Sequence, residues 1–230
     1  LYSFQFLFSG ILSPAGILPE NIRILVYATQ QFEKELAGNV KIIYFTQDFE
    51  CQFCKETRQL LEEIKELSDK IELEIHEFNK EKELAEKYGV DKIPAILIFG
   101  EKEYGVRFFG IPSGYEFSTL IEDIIHVSKG ETDLDEKIKE EVRKIDKEVH
   151  IQVFVTPTCP YCPTMVHIAH QMAVENEKIK ADMIEAIEFP HLAQKYGVVG
   201  VPKTIINEKR EIVGAVPEEV FMEEIKRALQ

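Results

Sequence analysis

Phe154-Val155-Thr156-Pro157-Thr158-Cys159-Pro160-Tyr161-Cys162-Pro163 is the stretch on which the reading of this chain turns. It closes an apolar run, Ile151–Val155, whose β-branched and aromatic residues suit a buried strand. A short polar loop follows, then two cysteines three apart. Beyond them Met165, Ile168, Ala169 and Met172 recur at helical spacing. A strand therefore feeds a helix through a Cys-x-x-Cys pair. The attacking species in thiol–disulfide exchange is a thiolate, and a helix N-terminus favours it with free N–H groups and the positive end of the macrodipole. A spacing of three sets the second sulfur about one turn along, where it can resolve a mixed disulfide. Pro160 is expected in the first helical turn, where its missing N–H costs nothing.

The arrangement occurs twice. Cys51 and Cys159 are 108 residues apart, as are Pro94 and Pro202, and Tyr88-Gly89-Val90 and Tyr196-Gly197-Val198. Segments 81–94 and 189–202 share seven residues of fourteen in that register. Past the prolines the offset becomes 104, pairing Gly110, Phe117 and Ile121 with Gly214, Phe221 and Ile225. The chain is a duplication. Each copy opens with a helix (Glu20–Leu36; Leu134–Ile145), then a strand (Val40–Phe45; Ile151–Val155) and the cysteine helix, whose first-copy stripe is Leu60, Leu61, Ile64 and Leu67. Residues 71–75 alternate as a half-buried strand, with a less regular counterpart near Asp182–Ile187. Gly89 and Gly197 suit helix C-caps. Strands start at Ala95 and Lys203, polar turns at Gly100–Glu103 and Asn207–Arg210 lead to further strands, and a last helix closes each copy. The expected fold is α/β: two tandem units, each a mixed central sheet flanked by helices, joined near Ser128–Asp133. Pro94 and Pro202 each fall 43 residues after the first cysteine of their copy, at a strand entry, and are candidates for cis peptides beside the sulfurs.

Cys-Pro-Tyr-Cys at 159–162 with Val201-Pro202 downstream resembles the active site of glutaredoxins. From about Ile17 to Gln230 the chain resembles the glutaredoxin-like protein disulfide oxidoreductases of thermophilic archaea and bacteria, two-unit relatives of protein disulfide isomerase. The matching segments are 154–163, Gly105-Val106-Arg107-Phe108-Phe109-Gly110 and Val201-Pro202-Lys203. The resemblance implies two thioredoxin-like units, at 17–129 and 130–230, with 1–16 an extension outside them. It implies dithiol–disulfide exchange on protein thiols and disulfides (reduction, oxidation, isomerisation) with Cys51, Cys54, Cys159 and Cys162 as catalytic residues. It further implies a cytoplasmic setting, no cofactor beyond the redox-active disulfides, and recharging by a thioredoxin-reductase-like flavoenzyme.

Composition narrows the alternatives. The chain has 230 residues, and 41 acidic against 27 basic residues give a net charge of −14, which disfavours binding to nucleic acid or anionic lipid. The apolar Leu1–Leu18 lacks the basic start of a signal peptide and is interrupted by Pro14 and polar residues, so no membrane anchor is expected. Structural zinc on the two cysteine pairs is the sharpest rival, but Cys54 and Cys159 are 105 residues apart, whereas zinc pairs are usually within tens. His167 and His170, three apart, read as helix residues rather than metal ligands. A non-catalytic scaffold sits poorly with both copies keeping both cysteines. A dedicated reductant for one partner, such as a peroxidase, remains a narrower version of the enzyme.

The two pairs differ in company. Cys51 follows Asp48 and Glu50 and precedes Glu56, while Cys159 has uncharged neighbours. Carboxylates disfavour a thiolate, so Cys159 is expected to have the lower pKa and its pair to be the more oxidising. Single-domain thioredoxins carry a buried Asp six residues before the first cysteine. Phe45 and Val153 stand there, and no proton acceptor is evident.

Overall fold

The computed structural model describes residues 20–230, with side chains from Ile24 onward; the expected extension at 1–16 lies outside the described residues. In chain order the elements are α1 (Glu20–Glu35), β1 (Val40–Thr46), α2 (Cys54–Lys65), β2 (Ile71–Glu77), α3 (Lys82–Lys87), β3 (Ala95–Phe99), β4 (Glu103–Phe109) and α4 (Glu116–Lys129). The second copy repeats them as α5 (Glu136–Val142), β5 (Val149–Val155), α6 (Cys162–Glu175), β6 (Ile179–Glu185), α7 (Pro190–Lys195), β7 (Lys203–Ile206), β8 (Arg210–Val213) and α8 (Glu218–Ala228). Each copy is a mixed four-stranded sheet flanked by helices. In the first, β1 runs parallel to β2 and antiparallel to β3, which pairs with β4.

The two sheets are one. Strand β4 lies parallel to β6, from Val106 opposite Ala181 to Phe109 opposite Ile184. The result is an eight-stranded sheet of order β2-β1-β3-β4-β6-β5-β7-β8. Gly105 allows that approach: its φ is +70°, and a Cβ there would run into the Ile179 carbonyl. The join also explains the weak alternation after Asp182. Strand β6 begins earlier than expected, at Ile179, and lies between two neighbours with helices over it, so all but Lys180 of its seven residues are buried. A strand buried on both faces has no reason to alternate, whereas β2, at the sheet edge, does.

Helices cover both faces. On one, α1, α2, α4, α6 and α8 bury Phe32, Leu61, Leu120, Met165, Phe221 and their neighbours against the sheet. On the other, α3 and α7 pack over Phe45, Leu97, Phe109, Phe154 and Ile184. Helix α5 starts later than the expected 134, because Asp135 caps it by accepting a hydrogen bond from the Lys137 N–H, and it ends at Val142 rather than 145. No helix among the described residues is long and apolar enough to cross a membrane.

Candidate active site

Strands β1 and β5 end at the same edge of the sheet, and each continues into a loop bearing a cysteine pair. Helices α2 and α6 begin at the second cysteine of each pair, so Cys51 and Cys159 stand just ahead of the helix rather than in its first turn. This corrects the expected place of Pro160 too, which precedes α6; Pro163 takes the first-turn position. The positions before the helices, Phe53 and Tyr161, supply no side-chain cap, so no capping side chain competes for the first-turn N–H groups at the sulfur end. Both pairs are disulfide-bonded, with 5.5 Å between the Cα atoms. The second cysteine is sealed in each case: Cys54 is 1% exposed and Cys162 is 0%. Cys51 is partly exposed and Cys159 is 8% exposed. Cys51 and Cys159 are thus the more accessible cysteine of each pair.

The prolines enter from the neighbouring strand. Ala95 pairs with Phe45 and Lys203 with Phe154, which sets Pro94 and Pro202 across from the strand ends that lead to the cysteines. Both X-Pro bonds, Ile93–Pro94 and Val201–Pro202, are cis. The Pro94 and Pro202 carbonyls accept from the N–H groups of Gly110 and Gly214, both 2.9 Å away. At the first site the Tyr44 hydroxyl donates to the Cys54 carbonyl at 2.6 Å, anchoring the start of α2; burial pushes the phenol up to about 12.

Each copy also reaches into the other's loop. The Tyr115 N–H donates to the Pro157 carbonyl, 3.1 Å, and a Cβ at Gly114 (φ +61°) would collide with that same carbonyl. The next residue, Glu116, is 1% exposed, and neither carboxyl oxygen has a hydrogen-bond partner among the described residues. Burial pushes its pKa up to about 7. In the other direction, Glu188 accepts from the Ile111 N–H at 2.6 Å, beside Gly110. Burial, with Glu185 adding repulsion, raises Glu188 to about 7. The sequence offered no sign of these acids, because nothing local marks a glutamate as buried by residues dozens of positions away.

Large aromatic side chains stand exposed beside the cysteine loops. Phe49 is 61% exposed, Tyr161 68% and Tyr115 52%, each next to one of the two loops. A groove floored by Leu60, Ile111, Pro112 and Phe117 runs between α2 and the β4–α4 loop.

A thioredoxin domain profile matches residues 39–122 and again 149–227. The chain belongs to the thioredoxin domain family. Among solved structures, a protein disulfide oxidoreductase from Aeropyrum pernix K1 superimposes with a TM-score of 0.84 at 29% identity, over 91% of this chain and 93% of that one. An Enterococcus faecalis alkylhydroperoxide reductase component, AhpF, gives 0.82 at 25% identity, over 90% and 99%. A Bacillus subtilis protein named NADH dehydrogenase is 29% identical over 66% of this chain; the match spans 28% of that relative's length. Both solved chains are matched over nearly their whole length.

Proposed function

We propose that the chain catalyses dithiol–disulfide exchange on protein substrates, with Cys51 and Cys159 as attacking sulfurs and Cys54 and Cys162 as resolving ones. The observation that carries this is the repeated geometry: a cysteine ahead of the helix, a sealed and less accessible partner three residues on at the helix start, and a proline strand entry across from the strand end. Exposed Phe49, Tyr115 and Tyr161 support a protein substrate, since apolar surface beside a reactive sulfur suits an unfolded segment. Exchange proceeds in two displacements. The Cys51 or Cys159 thiolate attacks a substrate disulfide, forming a mixed disulfide and releasing one substrate thiolate. The second cysteine then attacks the enzyme sulfur, releasing the other thiolate and leaving the enzyme disulfide; oxidation is the reverse. In this reading the division at 129/130 separates two working units, and a thioredoxin-reductase-like flavoenzyme of the cytoplasm restores the dithiols. Insulin reduction together with refolding of scrambled ribonuclease tests the proposal, and activity in both is expected.

A narrower reading, favoured by the likeness to the peroxide-reductase component, makes the chain the electron donor to one peroxidase. Reduction of that peroxidase with no activity on insulin or ribonuclease would select it.

The resolving thiol must lose a proton, and we propose Glu116, buried one residue past the Tyr115–Pro157 contact that ties α4 to the second cysteine loop, as its acceptor at the second site. In a Cys51→Ser/Cys54→Ser background the exchange rate should rise through about pH 7 as Glu116 ionises. Glu116→Gln should lose that rise and slow exchange by ~100-fold, the lower end for a general base. An unchanged pH–rate profile refutes the assignment.

The two sites should also differ in potential. With one pair intact at a time, equilibration against glutathione is expected to place Cys159/Cys162 above Cys51/Cys54 by ~30 mV, the equivalent of about one pKa unit. Equal potentials, or the reverse order, would remove the role given to Asp48, Glu50 and Glu56.

A further inference from the structure

A second cluster of reactive side chains lies away from the sulfurs, where α4 of the first copy packs on α6 of the second. Helix α4 contributes Glu122, Asp123 and His126; α6 contributes His167 and His170. One ligand atom each from Asp123, His126 and His167 lie within 4.8 Å of one another. The two imidazole rings are 5.3 Å apart. The His126 side chain is 6% exposed; its Nε2 is held by Asp133 Oδ2 at 3.1 Å. Its Nδ1 is buried with no partner among the described residues. Asp123, 1% exposed, is oriented through Oδ2 by the wholly buried His170, whose Nδ1 lies 2.5 Å away. The His167 Nδ1 is also buried without a hydrogen bond among the described residues, 3.3 Å from a Glu122 oxygen.

We propose that Asp123, His126 and His167 bind one zinc ion that cross-links α4 to α6. Residues three apart on a helix share a face, so Asp123 and His126 present both donors from one rigid element while His167 closes from the facing helix. Two imidazoles and a carboxylate suit zinc and not magnesium or calcium, which take oxygen donors. The outer partners are those a metal site needs: Asp133 fixes the tautomer of His126, leaving Nδ1 to ligate, and His170 orients Asp123. A ligated Nδ1 would also remove the cost of burying that nitrogen unpaired. His167 is 26% exposed and Glu122 44%, so the cluster has an access path and a further oxygen donor at its rim. The ion would tie the two copies together five residues from Cys162, at the helix that carries the second site.

The dithiols themselves could take zinc, so the test uses the full chain with both pairs oxidised. Titration with zinc should show one ion per chain and raise the melting temperature. Cobalt in its place should give a spectrum with nitrogen and oxygen ligands and no thiolate charge-transfer band. His167→Ala, at the partly exposed position, should weaken zinc binding by at least ~100-fold, and Asp133→Asn by ~10–100-fold, the range for an outer-shell partner. His191→Ala, on α7, should leave binding unchanged. His126→Ala should match His167→Ala; circular dichroism without metal checks that each variant is folded, and His167→Ala decides the matter if His126→Ala is not. No binding to the oxidised protein, or equal binding by folded His167→Ala, overturns the proposal.

Discussion

Cys51→Ser combined with Cys159→Ser should reduce insulin no faster than the uncatalysed background, a loss of several orders of magnitude, as expected when a covalent nucleophile is removed. Cys54 and Cys162 should not substitute, because they are sealed at 1% and 0% exposure. Each single variant should keep a share of the activity. The cysteine-bearing strands β1 and β5 are four positions apart in the sheet, roughly 19 Å at the usual interstrand spacing, so neither sulfur can resolve the other's intermediate without a rearrangement. Cys54→Ser and Cys162→Ser should instead accumulate mixed disulfides with substrate, visible as adducts on non-reducing gels. Full activity in the double variant would place the chemistry elsewhere; no activity in one single variant would make the other site a bystander.

Arg107→Ala should cost the fold about 3–5 kcal/mol, the toll of leaving a buried carboxylate without its partner. Arg107 on β4 and Asp182 on β6 meet at the seam between the two half-sheets, both almost wholly buried, with nitrogen–oxygen contacts of 2.7 Å. Arg107 also donates to the Gly89 carbonyl and lies 5.3 Å from the Phe109 ring. His150 Nε2 is 2.7 Å from the other Asp182 oxygen. Burial alone would raise the Asp182 pKa; the charge of Arg107 and the bond to His150 overcome it and hold the carboxyl well below the usual range. A group lowered on folding contributes stability above its unfolded pKa, near 3.8, and that contribution is lost as pH falls toward the folded value. Urea unfolding of Arg107→Ala should therefore show a deficit at neutral pH that narrows in acid. Replacing both partners by apolar residues of similar volume should restore most of the loss, since a buried pair and a well-packed apolar pair are often comparable. A deficit under about 1 kcal/mol, the scale of an exposed pair, would mean that the seam holds without this one.

Much of this was legible along the chain, for identifiable reasons. Strand β1, helix α2 and their later counterparts show in local periodicity. The recurrence of cysteines, Tyr-Gly-Val and proline at one offset exposes a duplication without any knowledge of contacts. Local patterning failed where burial is imposed from afar: β6 lost its alternation to helices that cover both faces of the sheet, and Pro160 was placed in a helix that begins two residues later. The sequence by itself determined the two units, the two dithiols and the chemistry that a thiolate near a helix start can do. The tertiary structure alone decided that the half-sheets fuse through β4 and β6, that Arg107 finds Asp182 75 residues away, and that His170 finds Asp123 47 residues away. It also decided that Glu116 is stripped of water beside the second loop. Those outcomes rest on desolvation and on partners brought together only by folding, and the energy of a buried charge depends on its surroundings in space, which no spacing in the chain records.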